Sequence, residues 1–343
     1  MFQEGSERPK VSVIVITYNQ EDTIGRTLDS ILEQQTDFPF EIELADDCST
    51  DRTSEVCRAY AIQYPDCIRY TRNKVNLGVR ENYFAALRRC RADYIADCAG
   101  DDYWVDPHKL QKEADLLDAH PEVGLVHTDF QYVNESSGRV WANSDVEENM
   151  PYLREFIPPG ELVLPLTRLK MLIQLCTALY RKEVFLRAER EHPYVFCSPD
   201  ILLEDFQLCM IYAHETTVAY IPDVTLHYNL GYESESHSKC SLRLFDFIFS
   251  LLHMYRYFEV AYNLDTVAMA RIYDEKARFL MASAFILCDG LRMNQLREFY
   301  HNRNIPMPWK CRLLLWMSRY KYMWRISAAV KKAHYEWVMK QWS

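Results

Sequence analysis

The sequence predicts an α/β fold, in which a mostly parallel central sheet covered by helices is followed by a helical C-terminal region. Over the first 130 residues, short apolar runs alternate with amphipathic stretches of helical length, which is the pattern of a parallel sheet buried on both faces. The chain has 343 residues, of which 49% are hydrophobic and 26% charged, so it can bury a large core. After Cys240 the strand pattern ends and helical stretches dominate.

The elements of the first part can be assigned in order. The first two predicted helices are "TYNQEDTIGRTLDSILEQ", with acids in its first turn, and "STDRTSEVCRAYAIQYP", which begins with Ser and Thr caps and ends at Pro65. The first of them presents one apolar face to the sheet, formed by Ile24, Leu28, Ile31 and Leu32. The predicted strands are Val11–Ile16, Phe40–Ala45, Ile68–Tyr70, Tyr94–Asp97 and Gly124–His127.

Composition argues against several classes of protein. The eleven Cys are scattered without a CxxC pair, which predicts reduced core residues and neither a disulfide framework nor a zinc site. The sequence has no run of 18 apolar residues, and its N-terminus lacks the apolar core of a secretory signal, so we expect a cytoplasmic protein. The net charge is −10, but residues 301–343 carry a local +8, which leaves −18 on the first 300 residues. Such an acidic body argues against nucleic acid as a partner.

Polar clusters follow each of the first four predicted strands. They are Thr17-Tyr18-Asn19, Asp46-Asp47, the segment Asn76 to Arg80 with Gly78 inside it, and Asp101-Asp102. In open parallel sheets ligands bind beyond the carboxyl ends of the strands, so four clusters at one edge indicate a ligand site, although a single acidic pair is more often a solvated turn. The chain has neither GxGxxG nor GxxxxGK. A divalent cation, Mg2+ or Mn2+, is then the simplest bridge between carboxylates and a diphosphate.

Four stretches, "VSVIVITYNQEDTIGRTLDSILEQ", "ADDCSTDRT", "NLGVRENYFAAL" and "GDDYWVDPHKLQKE", together carry a resemblance in their order and spacing. Residues 9 to about 230 resemble the family-two glycosyltransferases, whose Rossmann-like nucleotide-binding fold is called A-type. The resemblance implies that the first strand-end loop and Asp46 or Asp47 hold the base and ribose of the donor. It also implies that Asp101 and Asp102 bind the metal. The family usually has a further acid where this chain has Ala99, so we expect a third metal ligand from elsewhere.

A second acidic pair lies in "PDILLEDFQLCMIYA", where a predicted helix carries Glu204 and Asp205 in its first turn. The resemblance implies that Asp205 is the general base for the acceptor hydroxyl and that Glu204 is a supporting hydrogen-bond acceptor. The residues alone equally allow an N-terminal pair that satisfies the helix dipole. The apolar residues expected to bury one side of this helix are Leu202, Leu203, Phe206, Leu208 and Met210.

Four further side chains each allow a functional and a structural interpretation. His227 and His237 match the stretch where the family sometimes has a metal-binding His, but Asn229 stands where Arg is common, and a lone His is more often structural. Arg80 follows Gly78, whose backbone freedom allows close approach to a ligand, so it either pairs with the diphosphate or is a solvated charge. Trp104 either walls the sugar site or is a buried aromatic.

The chain is expected to divide into a catalytic domain at residues 1–240, a helical extension at 241–304 and a basic aromatic tail at 305–343. The helical region is compatible with dimerisation. If the tail is helical, Trp and Tyr beside Lys and Arg suit the interface of a bilayer, although the tail could instead dock on its own acidic domain. The apolar side chains expected on one face are Trp309, Leu313, Trp316, Tyr320, Met323 and Trp324.

Two functional classes follow from these observations. The first is a metal-dependent glycosyltransferase that uses a nucleotide sugar such as a UDP-sugar to extend a saccharide or lipid-linked acceptor at the inner face of a membrane, in cell-surface polysaccharide synthesis. The resemblance implies that the transfer is inverting. The second is a binding or scaffolding protein of the same fold without turnover, for which Ala99 is the supporting feature. A sugar nucleotidyltransferase is a weaker alternative, because no Gly-rich basic loop lies near the N-terminus.

Overall fold

The computed structural model describes residues 8–134, 137–168, 171–230, 241–320, 322 and 324–329. The chain divides into two compact units, Met1–Tyr232 and Glu233–Ser343. The boundary expected after residue 240, His237, and the tail beyond residue 329, with Trp337 and Trp342, lie outside the described residues. The division into three segments stays a prediction.

In the described part of the first unit, ten strands form one sheet. The strands are β1 Val11–Thr17, β2 Phe40–Asp46, β3 Ile68–Arg72, β4 Tyr94–Asp97, β5 Tyr103–Trp104, β6 Val123–Asn134, β7 Arg139–Ala142, β8 Phe156–Ile157, β9 Leu179–Arg181 and β10 Thr217–Asn229. Their order is β3-β2-β1-β4-β9-β6-β10-β5, with β7 beside β6 and β8 beside β10. The longest ladders, β6 with β10 and β1 with β2, are parallel, and β9 runs antiparallel between β4 and β6.

Helices cover the sheet of the first unit and make up the described part of the second. The α/β class, the mostly parallel sheet and the helical C-terminal region are therefore confirmed. The helices are α1 Ile24–Leu32, α2 Thr53–Gln63, α3 Val79–Arg89, α4 Lys109–Ala119, α5 Val163–Leu166, α6 Lys182–Glu191, α7 Pro193–Cys197, α8 Phe206–Glu215, α9 Ser241–Ala261, α10 Thr266–Ile286, α11 Gly290–Asn302 and α12 Trp309–Met317.

The core explains why the early elements could be predicted. Val13 and Val15 of β1 and Leu28 of α1 are fully buried in it, as expected for a strand covered on both faces and a helix with one apolar face. Helix α8 starts later than predicted, at Phe206, so Leu202 is not part of its buried side and is 44% exposed.

Candidate active site

The loop after β4 carries Asp101 and Asp102 and is held by the first turns of α1. The hydroxyl of Thr23 donates to the carbonyl oxygen of Gly100, and that of Thr27 to the carbonyl oxygen of Asp102, both at 2.7 Å. A Cβ atom on Gly100 would lie 2.3 Å from Oε1 of Gln20. It would also lie 3.1 Å from Cβ of Thr17, so the acidic loop lies directly against the loop that follows β1.

The side chain of Asp102 is only partly compensated. It is 1% exposed; its Oδ1 accepts a hydrogen bond from the backbone N–H of Asn229 at 3.0 Å, and its Oδ2 has no hydrogen-bond partner among the described residues. Burial, followed by repulsion from Asp101, raises the pKa of Asp102 well above its ordinary value. Burial also raises the pKa of Asp101. A buried carboxylate oxygen of this kind is stabilised by a cation.

Arg26 is a residue of this site that the sequence did not indicate. It lies in α1, with its guanidinium 4.1 Å from the centre of the Tyr103 ring. Its positive charge lowers the pKa of both Asp101 and Asp102, although burial outweighs this effect. In sequence it is one cation among many on an amphipathic helix, and only the fold brings it near the acidic loop.

Asp205 caps helix α8 and belongs to the same site. Its Oδ1 accepts a hydrogen bond from the N–H of Phe206 at 2.6 Å, and burial raises its pKa. The pKa of Tyr228 is raised, mainly by burial and further by the charges of Asp102, Asp101 and Asp205. Carboxylates from two distant parts of the sequence therefore converge on one phenol. The role of Glu204 beside this cap stays a prediction.

The Asp46-Asp47 pair is fully occupied by neighbouring donors. Asp46 is 0% exposed and accepts hydrogen bonds from the N–H of Ser49, the hydroxyls of Ser54 and Tyr70, and, at 3.3 Å, pairs with Nε of Arg72. Burial alone would raise the pKa of Asp46, but the bonds from Ser49, Ser54 and Tyr70 lower it overall.

Asp47 organises the loop that follows β3. Its carboxylate accepts the backbone N–H groups of Leu77 and Gly78 and the side-chain amide of Asn73, all at 2.8 Å. Gly78 has φ +86°, and its N–H is also 3.1 Å from Oδ1 of Asn76. The predicted base and ribose contacts of Asp46 or Asp47 stay predictions, and the structure shows both side chains shaping the loops in which they lie.

The loop after β1 presents one exposed ring at this edge of the sheet. Tyr18 is 46% exposed, whereas the side chain of Thr17 is bonded to Gln20 at 2.8 Å. Asn19 has φ +52° and its Oδ1 accepts the N–H of Thr50 at 2.8 Å, which ties this loop to the one after β2. The exposed ring of Tyr18 is therefore accessible to a ligand at these strand ends.

The guanidinium of Arg80 is directed towards the segment before α8. It is 12% exposed and donates to the carbonyl oxygens of Ser198 and, at 2.8 Å, Ile201, and also pairs with Glu81. The solvated-charge interpretation is therefore wrong, and the diphosphate contact stays a prediction. Arg80 instead connects the loop after β3 to the residues that lead to Glu204 and Asp205.

His227 and Trp104 have structural roles in this arrangement. Nδ1 of His227 is 2.7 Å from the Tyr103 hydroxyl and Nε2 is 2.9 Å from Oε1 of Gln131, so both ring nitrogens are engaged and the metal-ligand prediction is not supported for this residue. Trp104 is 4% exposed and donates through Nε1 to the carbonyl oxygen of Cys176 at 3.0 Å. It is the buried aromatic, not an open wall for a sugar.

Two further histidines, His127 and His192, lie in other parts of the first unit. His127 is buried, which lowers its pKa to about 4. His192 lies with Glu191 and Glu215 in a group whose ligand atoms are within 4.8 Å of one another, but Glu215 is already paired with Arg187 at 2.6 Å. Neither histidine belongs to the site at the strand ends.

Comparison with known proteins places these observations in a family. The family model described as glycosyl transferase family 2 matches residues 12–187. An uncharacterized protein of Mycobacterium tuberculosis, Rv1520, is 45% identical over 112 residues, 33% of this chain and 32% of its own length. The putative glycosyltransferase EpsE of Bacillus subtilis is 38% identical over 120 residues, 35% of this chain and 42% of its own. These matches thus span less than half of either relative.

Solved structures with similar folds cover most of the chain. TarS 1–349 of S. aureus in complex with UDP-GlcNAc has a TM-score of 0.58 at 19% identity, over 93% of this chain and 89% of that one. The mannosyltransferase PcManGT of Pyrobaculum calidifontis, in complex with GDP-Man and Mn2+, has a TM-score of 0.54 at 20% identity, over 95% and 87%. At these identities the likeness shows the fold, which is that of A-type glycosyltransferases.

Proposed function

The chain belongs to glycosyl transferase family 2, and on this basis we propose that it moves a sugar from a nucleoside-diphosphate sugar to a saccharide or lipid-linked acceptor. The reaction is inverting and metal-dependent, and it serves cell-surface polysaccharide synthesis. The observation that carries the proposal is the buried, unpartnered Oδ2 of Asp102 at the strand ends, close to the converging charges of Asp101 and Asp205. A buried carboxylate of this kind is either protonated, as its raised pKa favours, or ionised against a bound cation.

A divalent cation fits the residues present. Asp101 and Asp102 would hold it, because hard carboxylate oxygens suit Mn2+ and Mg2+, and Ala99 offers no third carboxylate. When bound, the ion would stabilise the negative charge that develops on the departing diphosphate. The Mn2+ in the structure of the mannosyltransferase PcManGT supports this assignment.

The donor would bind across the loops after β1, β2 and β3. The exposed ring of Tyr18 can cover a nucleobase, and the loops fixed by Asp46 and Asp47 supply the surrounding backbone. A UDP-sugar is the proposed donor, supported by the complex of TarS with UDP-GlcNAc.

Asp205 would act as the general base. The acceptor hydroxyl attacks C1 of the donor sugar from the face opposite the diphosphate, its proton passes to the Asp205 carboxylate, and the C1–oxygen bond to the diphosphate breaks with inversion. The raised pKa of Asp205, caused by burial, brings it closer to the working pH and improves it as a base. Glu204 would accept a hydrogen bond from the acceptor.

Contact with a membrane surface at its inner face, and self-association through the helical region, complete the proposal. Among the described residues no helix is long and apolar enough to cross a bilayer. The basic composition of residues 301–343 supports contact with an anionic surface.

A donor-hydrolysis screen tests the function. Purified chain is incubated with UDP-, GDP- and dTDP-linked sugars, with Mn2+, with Mg2+ and with a chelator, and release of the nucleoside diphosphate is measured. We expect release from one class of donor that depends on the metal and is abolished in Asp102→Asn. Equal release by Asp102→Asn, or release in the chelator, would refute the metal-dependent mechanism.

A non-catalytic nucleotide-sugar-binding protein is the second candidate, favoured by Ala99, which stands where the resemblance calls for an acid. The same screen separates the two. A donor that binds in calorimetry with a metal-dependent affinity but is neither hydrolysed nor transferred to any acceptor would support the second candidate.

A further inference from the structure

Helix α12 has one buried side and one exposed apolar side. Cys311 and Leu314 are 1% and 7% exposed, and the helix packs against α10. The opposite side carries Trp309, 63% exposed, and Trp316, 49% exposed. Leu313 and Tyr320 continue this side at intervals of three and four residues and are about half exposed too. These four side chains are called here the α12 face.

The following turn shows which aromatic residues the protein uses for its own packing. Trp324, expected on the same side as Trp316, turns inward instead: its Nε1 donates to the carbonyl oxygen of Phe285 at 2.8 Å and its ring packs on that of Phe285. Within the described part of the tail, the α12 face is thus distinct from the aromatic contact that secures the tail to α10.

Exposed cations accompany the α12 face along the sequence, and Nζ of Lys310 lies 5.8 Å from the centre of the Trp309 ring. Lys310, Arg312, Arg319 and Arg325 are exposed. Residues 299–335 include no Asp or Glu, so no acid in this stretch of sequence competes for these cations. Arg and Lys around half-exposed Trp and Tyr match the two layers of a bilayer surface, where indole and phenol rings lie at headgroup depth and cations meet lipid phosphates.

We propose that the α12 face is a lipid-docking surface, on which Trp309, Leu313, Trp316 and Tyr320 enter the headgroup region of an anionic bilayer while the flanking cations bind lipid phosphates. This deepens the membrane contact of the proposed function and rests on it. The described part of the tail packs on α10 through α12 and Trp324, and this packing leaves Trp309 and Trp316 exposed. A bilayer also explains why exposed aromatic rings accompany the cations. Attraction to the acidic first 300 residues would need only the cations.

Vesicle flotation of the full chain tests the proposal. Vesicles of phosphatidylcholine with phosphatidylglycerol are compared with phosphatidylcholine alone, at low salt and at about 0.5 M salt, where surface charges are screened. We expect flotation with the anionic vesicles that falls as salt rises. The double variant Trp309→Ser with Trp316→Ser should weaken partitioning into the vesicles about tenfold. It removes two indole rings, each about half exposed, whose exposed apolar surface would otherwise be buried in the lipid.

A matched control is available in the same unit. Val260 on α9 and Val267 on α10 are each 65% exposed, so Val260→Ser with Val267→Ser removes exposed apolar surface of a similar kind without touching α12. Thermal melting of both variants checks that they are folded. Absence of flotation by the wild type, or an equal loss in the control variant, overturns the proposal.

Two further measurements separate lipid docking from dimerisation and from the enzymatic function. Sedimentation without vesicles shows whether the α12 face is a contact with a second copy: a dimer that the Trp variant loses would overturn the lipid assignment. Donor hydrolysis without vesicles is measured in parallel. Flotation without donor hydrolysis would contradict the proposed enzymatic function and support the lipid-docking surface. Donor hydrolysis without flotation would support the enzymatic function and contradict the lipid-docking surface.

Discussion

Two acidic pairs at strand ends, Asp46-Asp47 and Asp101-Asp102, look alike in the sequence and differ in the structure. The first pair is surrounded by donors, so its oxygens are bonded to backbone N–H groups, hydroxyls and side-chain amides. In the second pair, Oδ2 of Asp102 is buried and without a partner in the described chain. The pKa of Asp46 is lowered, whereas that of Asp102 is raised well above its ordinary value.

The difference separates a structural carboxylate from one that awaits a ligand. Burial costs both pairs the same kind of desolvation free energy. For Asp46, hydrogen bonds from the protein offset the free energy of desolvation, so the ionised carboxylate stabilises the fold. For Asp102, burial and the charge of Asp101 raise the pKa, and they outweigh the N–H of Asn229, the thiol of Cys176 and the charge of Arg26, which lower it. This incompletely compensated carboxylate is the feature on which the proposed metal and diphosphate site depends.

Asp102→Asn gives the sharpest test of this contrast. We expect metal-dependent turnover to fall roughly 1000-fold, because the cation that stabilises the leaving group loses a ligand. The melting temperature without metal should stay the same or rise, because a buried, poorly compensated charge is removed. Turnover and calorimetry with Mn2+ and a nucleoside diphosphate measure the first effect, and thermal melting the second. A large loss of stability would place Asp102 with the structural pair.

Asp205 extends the comparison to a third carboxylate, whose pKa is also raised by burial. Asp205→Asn should lower turnover about 100-fold and leave donor affinity within about twofold, since a base acts on the acceptor and not on the donor. Asn retains the cap of α8, so the fold is expected to persist. Turnover equal to that of the wild type would move the base to Glu204 or elsewhere.

Asp46→Asn tests the other side of the contrast, because this substitution should cost stability. We expect a loss of about 2 kcal/mol at neutral pH, since hydrogen bonds to a buried ionised group are broken. The folded pKa of Asp46 lies below its ordinary 3.8, so its stabilisation is present above that value and is lost as pH falls through the folded pKa. Urea unfolding at pH 7, 5 and 3 should therefore show a difference between wild type and variant that narrows with acidity. A constant difference would contradict the assigned role of the charge.

Substitution of Arg80 is expected to have the smallest effect on turnover. This residue connects the loop after β3, which Asp47 organises, to the segment that leads to Asp205. In Arg80, Nη1 donates to the carbonyl oxygens of Ser198 and Ile201 while Nη2 pairs with Glu81. Arg80→Lys keeps the charge but has one nitrogen for all three acceptors, so we expect turnover to fall about tenfold while donor affinity is kept. Arg88→Lys on the same helix is the control, because Arg88 makes an exposed pair with Glu189. Equal effects of the two substitutions would show that Arg80 has no particular influence on the base.

The sequence predicted the elements whose signal is local. Strands β1 to β4 and helix α1 carry apolar runs of the right period, and they form where expected. Strand β9 has three residues, and β10 contains Pro222, which argues against a central strand; the structure accommodates it with a register shift between Ile221 and Val224. Neither could be assigned from its own residues.

The same limit applies to the site. The position of the acidic pairs after strands could be read from the sequence, but their difference could not, because the decisive donors are distant or belong to the backbone. Asn229 acts on Asp102 through its N–H, which any residue except Pro would supply. Arg26 and Tyr228 approach the carboxylates only in the folded chain.

The position of β9 and β10 in the sheet has a consequence for the order of folding. Strand β9 joins β4 to β6 in the middle of the sheet, and the N–H that Asp102 accepts comes from a residue 127 positions later. Pairings of such long separation form slowly, because the closure of large loops must precede any gain from contacts. As the chain leaves the ribosome, β1 to β4 therefore emerge with an open edge at β4, which residues 179–181 cover in the folded protein. We expect the catalytic centre to be among the last parts of the molecule to assemble, and the unfinished sheet to depend on chaperones until then.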